Sequence, residues 1–253
     1  MFGGLCCGWL AGLIAAATLG VAHRLPDPAR VTPRPATVLA APTPAPAPPA
    51  AAPSPRISVP APPIQLDLIP FGATRRAETA AYVARHYGSF MAPTWRLRDP
   101  QVIVIHYTDA GLSSTLATFA TDAPDSELHE LPATCAHYVI DSDGTIHELV
   151  PPTIICRHTV GLNWTAIGIE HVGFSDAQVL GDGPQIASSL QLVHWLRCRF
   201  HISADNVIGH NESLASPLHR EDVPALRTQT HGDFVHADME IYRARLRALG
   251  GCP

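Results

Sequence analysis

Two histidines end short apolar runs, His106 in QVIVIH and His210 in NVIGH. Such runs predict buried strands, and side chains at strand ends are held rigidly where ligands and metals commonly bind. Two imidazoles in these positions suit Zn²⁺, whose catalytic sites use three protein ligands and leave one position open for water. The third ligand is expected after His210, where the sequence THGDF supplies His231 or Asp233. The alternative is that each histidine is only a buried polar group or a cap.

Other chemistries lack the residues they need. Glu148 follows His147, but Pro151 stands where the HExxH zinc motif requires its second histidine, and the chain contains neither GxSxG nor a CxxC pair. All 17 cationic side chains are arginine. The absence of lysine excludes mechanisms that depend on it, such as a Schiff base or a P-loop.

The composition is that of a folded protein. Of the 253 residues, 46% are hydrophobic and 15% are charged, and the formal net charge is −5. A disordered chain would combine low hydrophobicity with a high net charge. Nucleic-acid binding usually requires a strong basic excess, so nucleic acid is not expected as a partner.

Three regions differ in composition. Residues 1–22 carry no charge and predict a secretion signal or a single membrane anchor, with a buried helix as the alternative. Residues 23–64 contain 14 of the 25 prolines and predict a disordered, extended linker. Residues 65–253 are expected to form one folded domain.

Strands and helices alternate in the predicted domain. Besides the two strands that end in histidine, a hairpin is predicted at His137–Val150, around an Asp143-Gly144 turn, and a strand at Ala166–Val172. Helical spacing of apolar residues predicts three helices, at Arg75–Arg85, Gln185–Phe200 and Ala237–Leu249. The expected fold class is therefore α/β, with a mixed central sheet flanked by helices.

Five short motifs occur along the domain in a fixed order. They are Ile105–Thr108 (IHYT), Ala136–Gly144 (AHYVIDSDG), Arg157–Gly161 (RHTVG), Ile167–Glu170 (IGIE) and Gly209–His210 (GH). Together they resemble the zinc-dependent N-acetylmuramoyl-L-alanine amidases, the type 2 amidase family related to the peptidoglycan recognition proteins. The similarity extends from about Val102 to Phe234.

The resemblance implies a reaction and a set of site residues. The reaction is hydrolysis of the amide bond between N-acetylmuramic acid and the L-alanine of the peptidoglycan stem peptide. His106 and His210 match two zinc ligands, and Glu170 matches the general base, with a purely structural carboxylate as its alternative. The third ligand in the family is Asp or Cys and lies closer to the second histidine. Matching the family's register favours His231 here, with Asp233 as the competitor.

The resemblance also marks residues of the substrate groove. His158 matches a groove histidine, with a loop hydrogen bond as the alternative, and Tyr107 and Asn163 are further candidates for substrate binding. Two positions depart from the family pattern, because Ala136 replaces a frequent tyrosine and Gln229 replaces a frequent lysine. Stabilisation of the transition state is therefore expected from other side chains.

Four cysteines of the domain form an even set, which predicts disulfides in an oxidising compartment. Our choice among three pairings is Cys135–Cys156 with Cys198–Cys252, and free buried thiols are the alternative. Together with the N-terminal segment, this predicts an extracytoplasmic protein facing the cell wall, secreted or membrane-anchored. Peptidoglycan is the expected partner, and the domain is expected to be a monomer.

Two other functions remain open from the sequence. One is a non-catalytic module that binds peptidoglycan without cleaving it, and the other is an amide hydrolase acting on a different acyl–amino acid bond. Non-catalytic relatives typically lose a metal ligand. Zinc content therefore separates the enzyme from the binding module.

Overall fold

The computed structural model describes residues 59–181 and 183–252. The predicted N-terminal segment 1–22, and residues 23–58 of the predicted linker, lie outside the described residues. None of the helices in the described part of the chain has the length and hydrophobicity that crossing a membrane requires.

Six strands of the described part of the chain form one mixed sheet. They are β1 (Gln65–Leu66), β2 (Val102–Tyr107), β3 (Tyr138–Ile140), β4 (Ile146–Glu148), β5 (Ala166–His171) and β6 (Val207–Gly209). The strand order is β1-β4-β3-β5-β2-β6. Strands β3, β5, β2 and β6 run parallel, whereas β4 pairs antiparallel with β3 in the predicted hairpin and β1 runs parallel to β4. The hairpin turn uses Gly144 at φ 89°, a conformation that glycine adopts without strain.

Five α-helices flank the sheet in the described residues. They are α1 (Ala73–Tyr87), α2 (Leu112–Ala120), α3 (Asp176–Val179), α4 (Pro184–Phe200) and α5 (His236–Ala248). Short 3₁₀ helices at Ala204–Asn206, His210–Ala215 and Pro224–Leu226 complete the chain. The predicted α/β class, with a mixed sheet between helices, is confirmed. Helices α2 and α3 and strand β1 were not predicted.

The side chains of β2 and β5 point alternately to the two faces of the sheet. Ile103 and Ile105 belong to the large core cluster that also contains buried residues of α1, α4 and α5. Val104, one residue out of phase, belongs to a smaller cluster. Successive side chains of a strand point to opposite faces, so His106 shares the face of Val104. The large core therefore supports the sheet from one side while the end of β2 presents its histidine on the other.

Both disulfides form as predicted, Cys135–Cys156 and Cys198–Cys252. The first joins the segments that precede and follow the β3–β4 hairpin. The second ties α4 to the residues after α5, across 54 positions of the sequence. These cross-links restrict the unfolded chain more than the folded one.

Replacing both Cys198 and Cys252 with serine is expected to lower the free energy of unfolding by about 2–4 kcal/mol. The loss follows from the long loop that this disulfide closes. Urea denaturation monitored by circular dichroism measures it, with the matched Cys135→Ser/Cys156→Ser variant for comparison. An unchanged midpoint for the first variant would show that the bond contributes nothing to stability.

Candidate active site

The parallel strands β2, β5 and β6 bring three predicted site residues to one edge of the sheet. Strand β2 pairs with β5 so that His106 stands opposite Glu170. On its other side, β2 pairs with β6 so that Ile105 stands opposite Gly209, the residue before His210. Register alone therefore places the two histidines and the glutamate next to one another, at the carboxyl ends of adjacent strands.

Asp233 joins the two histidines from the segment before α5. One carboxylate oxygen lies 3.1 Å from His106 Nδ1 and the other lies 3.4 Å from His210 Nδ1. The two imidazole rings stand 4.7 Å apart between centroids and are nearly perpendicular. All three side chains are buried, and one donor atom from each lies within 4.8 Å of the others. This is a His-His-Asp group of the kind that can hold a metal ion.

The backbone around Asp233 is fixed by two contacts that the sequence analysis did not anticipate. Asp176, at the start of α3, accepts hydrogen bonds from the backbone N–H groups of Phe234 (2.8 Å) and Val235 (2.9 Å). Gly209 packs directly against Phe234, where a β-carbon would overlap the backbone oxygen. The small residue before His210 therefore lets the segment that carries Asp233 approach the end of β6.

His231 lies outside this group. Its Nε2 is 3.1 Å from a carboxylate oxygen of Glu127, and its side chain is about half exposed, at 48%. Its ring stacks in parallel on His210, 4.7 Å between centroids. The structure thus brings Asp233 to the two histidines where the sequence analysis favoured His231. Spacing could not separate the two residues, because they are only two positions apart in one loop.

The donor set fits a zinc ion. Two imidazoles and one carboxylate are ligands that zinc accepts, and three protein ligands are the number that catalytic sites use. The Nδ1 atoms of His106 and His210 both face the Asp233 carboxylate, so one ion could contact all three side chains. Burial lowers the pKa of His210 to about 4, so this ring is neutral near pH 7 and can act as a ligand.

The carboxylates around the two histidines also favour a cation. Burial by itself would raise the pKa of Asp233, but its hydrogen bonds to His106 and His210 hold it well below the ordinary value. Burial would lower the pKa of His106, yet the hydrogen bond to Asp233 and the charges of Glu170 and Asp233 raise it. The negative charges that favour a proton on His106 would likewise favour a metal cation beside it.

Glu170 brings a second carboxyl group to this edge of the sheet. Its Oε2 is buried and accepts no hydrogen bond from the described residues. Burial is the main cause that raises its pKa to about 7; Asp233 adds to the shift and His106 opposes it. A carboxyl that titrates near neutral pH can both accept and return a proton under working conditions.

Glu170 should make the stability of the chelator-treated protein depend on pH. The pKa of Glu170 is raised from the ordinary value of 4.5 to about 7 in the folded protein. The contribution of Glu170 to the free energy of unfolding is therefore complete below pH 4.5 and is lost as pH rises through 7. Glu170→Gln should therefore raise the free energy of unfolding by about 1–3 kcal/mol at pH 8 and change it little at pH 4.5. Urea titrations at both pH values test this, and equal effects at the two would contradict it.

A cleft of about 410 Å³ opens over the group. Tyr107 and His158 line it, as expected of substrate-binding candidates. Helix α2, which the sequence analysis missed, supplies further lining through Thr115, Thr118 and Phe119. The apolar residues of this helix, at positions 112, 116 and 119, recur at helical spacing and pack against a smaller core cluster, so the signal was present in the sequence but was not used.

Asn163 lies behind the cleft wall and is fully buried. Its Oδ1 accepts hydrogen bonds from the backbone N–H groups of His158 (2.9 Å) and Thr159 (2.7 Å). Its Nδ2 donates to the Tyr82 hydroxyl at 3.0 Å. The amide therefore holds the loop that carries His158, and its polar atoms are engaged by the protein itself.

Comparison with solved structures returns amidases. The endolysin N-acetylmuramoyl-L-alanine amidase LysCS from Clostridium intestinale is 19% identical, with a TM-score of 0.44, and the match covers 75% of this chain and 98% of that one. LysC from the same organism is 22% identical, with a TM-score of 0.40, covering 62% and 95%. AmiD from E. coli, in complex with anhydro-N-acetylmuramic acid-L-Ala-D-γ-Glu-L-Lys, is 27% identical, with a TM-score of 0.36, covering 45% and 49%.

A comparison with curated proteins finds no match. The family model for N-acetylmuramoyl-L-alanine amidase matches residues 96–230. The matched segment contains His106, Glu170 and His210 and ends just before Asp233. Because this segment is more than half of the chain, the chain belongs to the N-acetylmuramoyl-L-alanine amidase family.

Proposed function

We propose that this chain is a zinc-dependent hydrolase that cleaves the amide bond between N-acetylmuramic acid and L-alanine in peptidoglycan. Family membership supports the class of bond. The observation that carries the mechanism is the convergence of His106, His210 and Asp233 beside Glu170 in one cleft. The three side chains would hold the ion, and the glutamate would handle the proton.

Bound by these side chains, zinc would supply Lewis acidity, which makes a water acidic near neutral pH and polarises a carbonyl oxygen. Glu170 takes a proton from the attacking water as the new C–O bond forms. It returns that proton to the alanine nitrogen as the C–N bond breaks. One water is consumed, and the products are the lactyl carboxylate and a stem peptide with a free α-amine.

The same arrangement favours an enzyme over a module that only binds peptidoglycan. A binding module needs neither a complete set of metal ligands nor a carboxyl whose pKa is raised to about 7. Here His106, His210 and Asp233 are all present and buried. Retention of each part of the hydrolytic machinery is the reason to prefer catalysis.

The proposed substrate is part of the cell wall, so it indicates where the protein acts. One structural neighbour, AmiD, is described in complex with a muramyl tripeptide, and we extend that ligand class to this cleft. Two disulfides favour an oxidising compartment. We therefore place the protein outside the cytoplasm, facing the wall, with residues 1–22 as signal or anchor and residues 23–64 as spacer, and we expect a monomer.

Digestion of purified peptidoglycan by the full-length chain tests the proposal. Mass spectrometry should detect stem peptides with an N-terminal alanine, and a chelator should remove the activity until zinc is returned. Release of other fragments would mean a different bond. If the protein sediments with peptidoglycan but releases no product in the presence of zinc, the result would support the binding module instead.

A further inference from the structure

The ring of His158 lies between the metal group and strand β5. Its Nδ1 is 3.3 Å from His106 Nε2, and its Nε2 is 3.4 Å from the backbone oxygen of Ala166. The ring planes of His158 and His106 are nearly perpendicular, with centroids 5.3 Å apart. His158 thus contacts His106 at the nitrogen that faces away from Asp233.

The neighbours of His158 determine which of its nitrogens carries the hydrogen. A neutral imidazole has one N–H donor and one acceptor nitrogen. The oxygen of Ala166 can only accept, so the hydrogen belongs on Nε2 of His158. Nδ1 is then the acceptor, and it faces His106 Nε2.

The hydroxyl of Thr159 is compatible with the same assignment of hydrogens to the ring nitrogens. Its hydroxyl lies 2.9 Å from His158 Nδ1 and 3.4 Å from His106 Nε2. A hydroxyl both donates and accepts, so it can accept from His106 Nε2 and donate to His158 Nδ1. Within the described residues, the hydrogen-bond partners of His106 Nε2 are therefore this hydroxyl and the acceptor nitrogen of His158.

We propose that His158 is a positioning residue, which accepts a hydrogen bond from His106 Nε2 and so leaves His106 Nδ1 free to bind the metal. This inference rests on the proposed zinc site. Ligand histidines commonly donate their second ring N–H to an acceptor that fixes the ring and its tautomer. His158 fills that role for His106, and the backbone of β5 orients His158 in turn.

Two further contacts hold the ring in place. A β-carbon added to Gly168 in β5 would lie 2.6 Å from His158 Cγ, so only glycine leaves room for the ring there. From the other side, Asn163 accepts a hydrogen bond from the backbone N–H of His158 at 2.9 Å. A rigid ring is what positioning requires.

The test is zinc affinity, measured on the full-length chain by competition with a chromophoric chelator. His158→Leu removes the acceptor and should weaken zinc binding by about 10–100-fold. His158→Asn places an amide oxygen near the position of Nδ1 and should restore affinity to within about threefold. His194→Leu, in α4 and away from the cleft, is the matched control and should bind zinc like the wild type.

A second measurement needs no variant. Long-range ¹H–¹⁵N correlation spectra of the zinc-loaded wild type should place the hydrogens on Nε2 of both His158 and His106. A hydrogen on His158 Nδ1 would overturn the proposal, as would a His158→Leu variant that binds zinc as tightly as the wild type. If the wild type itself binds no zinc, both the proposed function and the positioning role are wrong. If the wild type binds zinc and His158→Leu binds it equally well, only the positioning role is wrong.

Discussion

Asp233→Ala is expected to abolish both zinc binding and hydrolysis, whereas His231→Ala is expected to keep one zinc ion per chain. The carboxylate of Asp233 contacts both His106 and His210, so its loss removes one of three ligands and the negative charge that offsets the ion. His231 pairs instead with Glu127. Metal analysis after dialysis, together with peptidoglycan digestion, measures both effects.

His210→Ala should lose zinc and hydrolysis to the same extent as Asp233→Ala, because it removes another of the three proposed ligands. Circular dichroism must first show that each variant is folded, because these side chains are buried. If His231→Ala loses zinc while Asp233→Ala keeps it, His231 is the third ligand, as the sequence favoured. If His210→Ala retains turnover, the site is misplaced altogether.

Glu170→Gln is expected to lower turnover by about 10²–10⁴-fold while zinc content and fold stay unchanged. The amide keeps the shape of the side chain but can no longer take a proton from water. Because Glu170 does not belong to the His-His-Asp group, its replacement should leave the metal in place. Steady-state hydrolysis of a soluble muropeptide, with zinc content measured on the same sample, tests the prediction.

Glu148→Gln is the matched control, since this glutamate ends β4 and does not line the cleft. Its turnover should equal that of the wild type. A Glu170→Gln variant with a near-wild-type rate would remove this residue from the mechanism, and a variant that also loses zinc would assign it to the metal.

The sequence predicted those parts of the site that follow from strand position. His106 and His210 end apolar runs, and parallel pairing then brings strand ends to one edge. Glu170 stands in a third such strand, opposite His106. The apolar runs mark the strands themselves, whereas Glu170 was identified through the resemblance to the amidases, because no local pattern shows which strands pair.

The third residue of the metal group depends on tertiary contacts that the sequence does not express. Asp233 reaches the histidines because Asp176 holds the backbone that follows it and because Gly209 allows that segment to approach. Neither contact can be read from local spacing. The same holds for Asn163, which was a candidate for substrate binding in the light of the resemblance but whose amide is engaged by the loop behind the cleft.

The proposed function requires that His106, His210 and Asp233 together hold one zinc ion. An anomalous difference map, recorded at the zinc absorption edge from crystals of the zinc-loaded protein, would locate that ion. We predict a single strong peak among these three side chains, with His231 still beside Glu127. A peak liganded by His231, or no peak between His106 and His210, would overturn this ligand assignment.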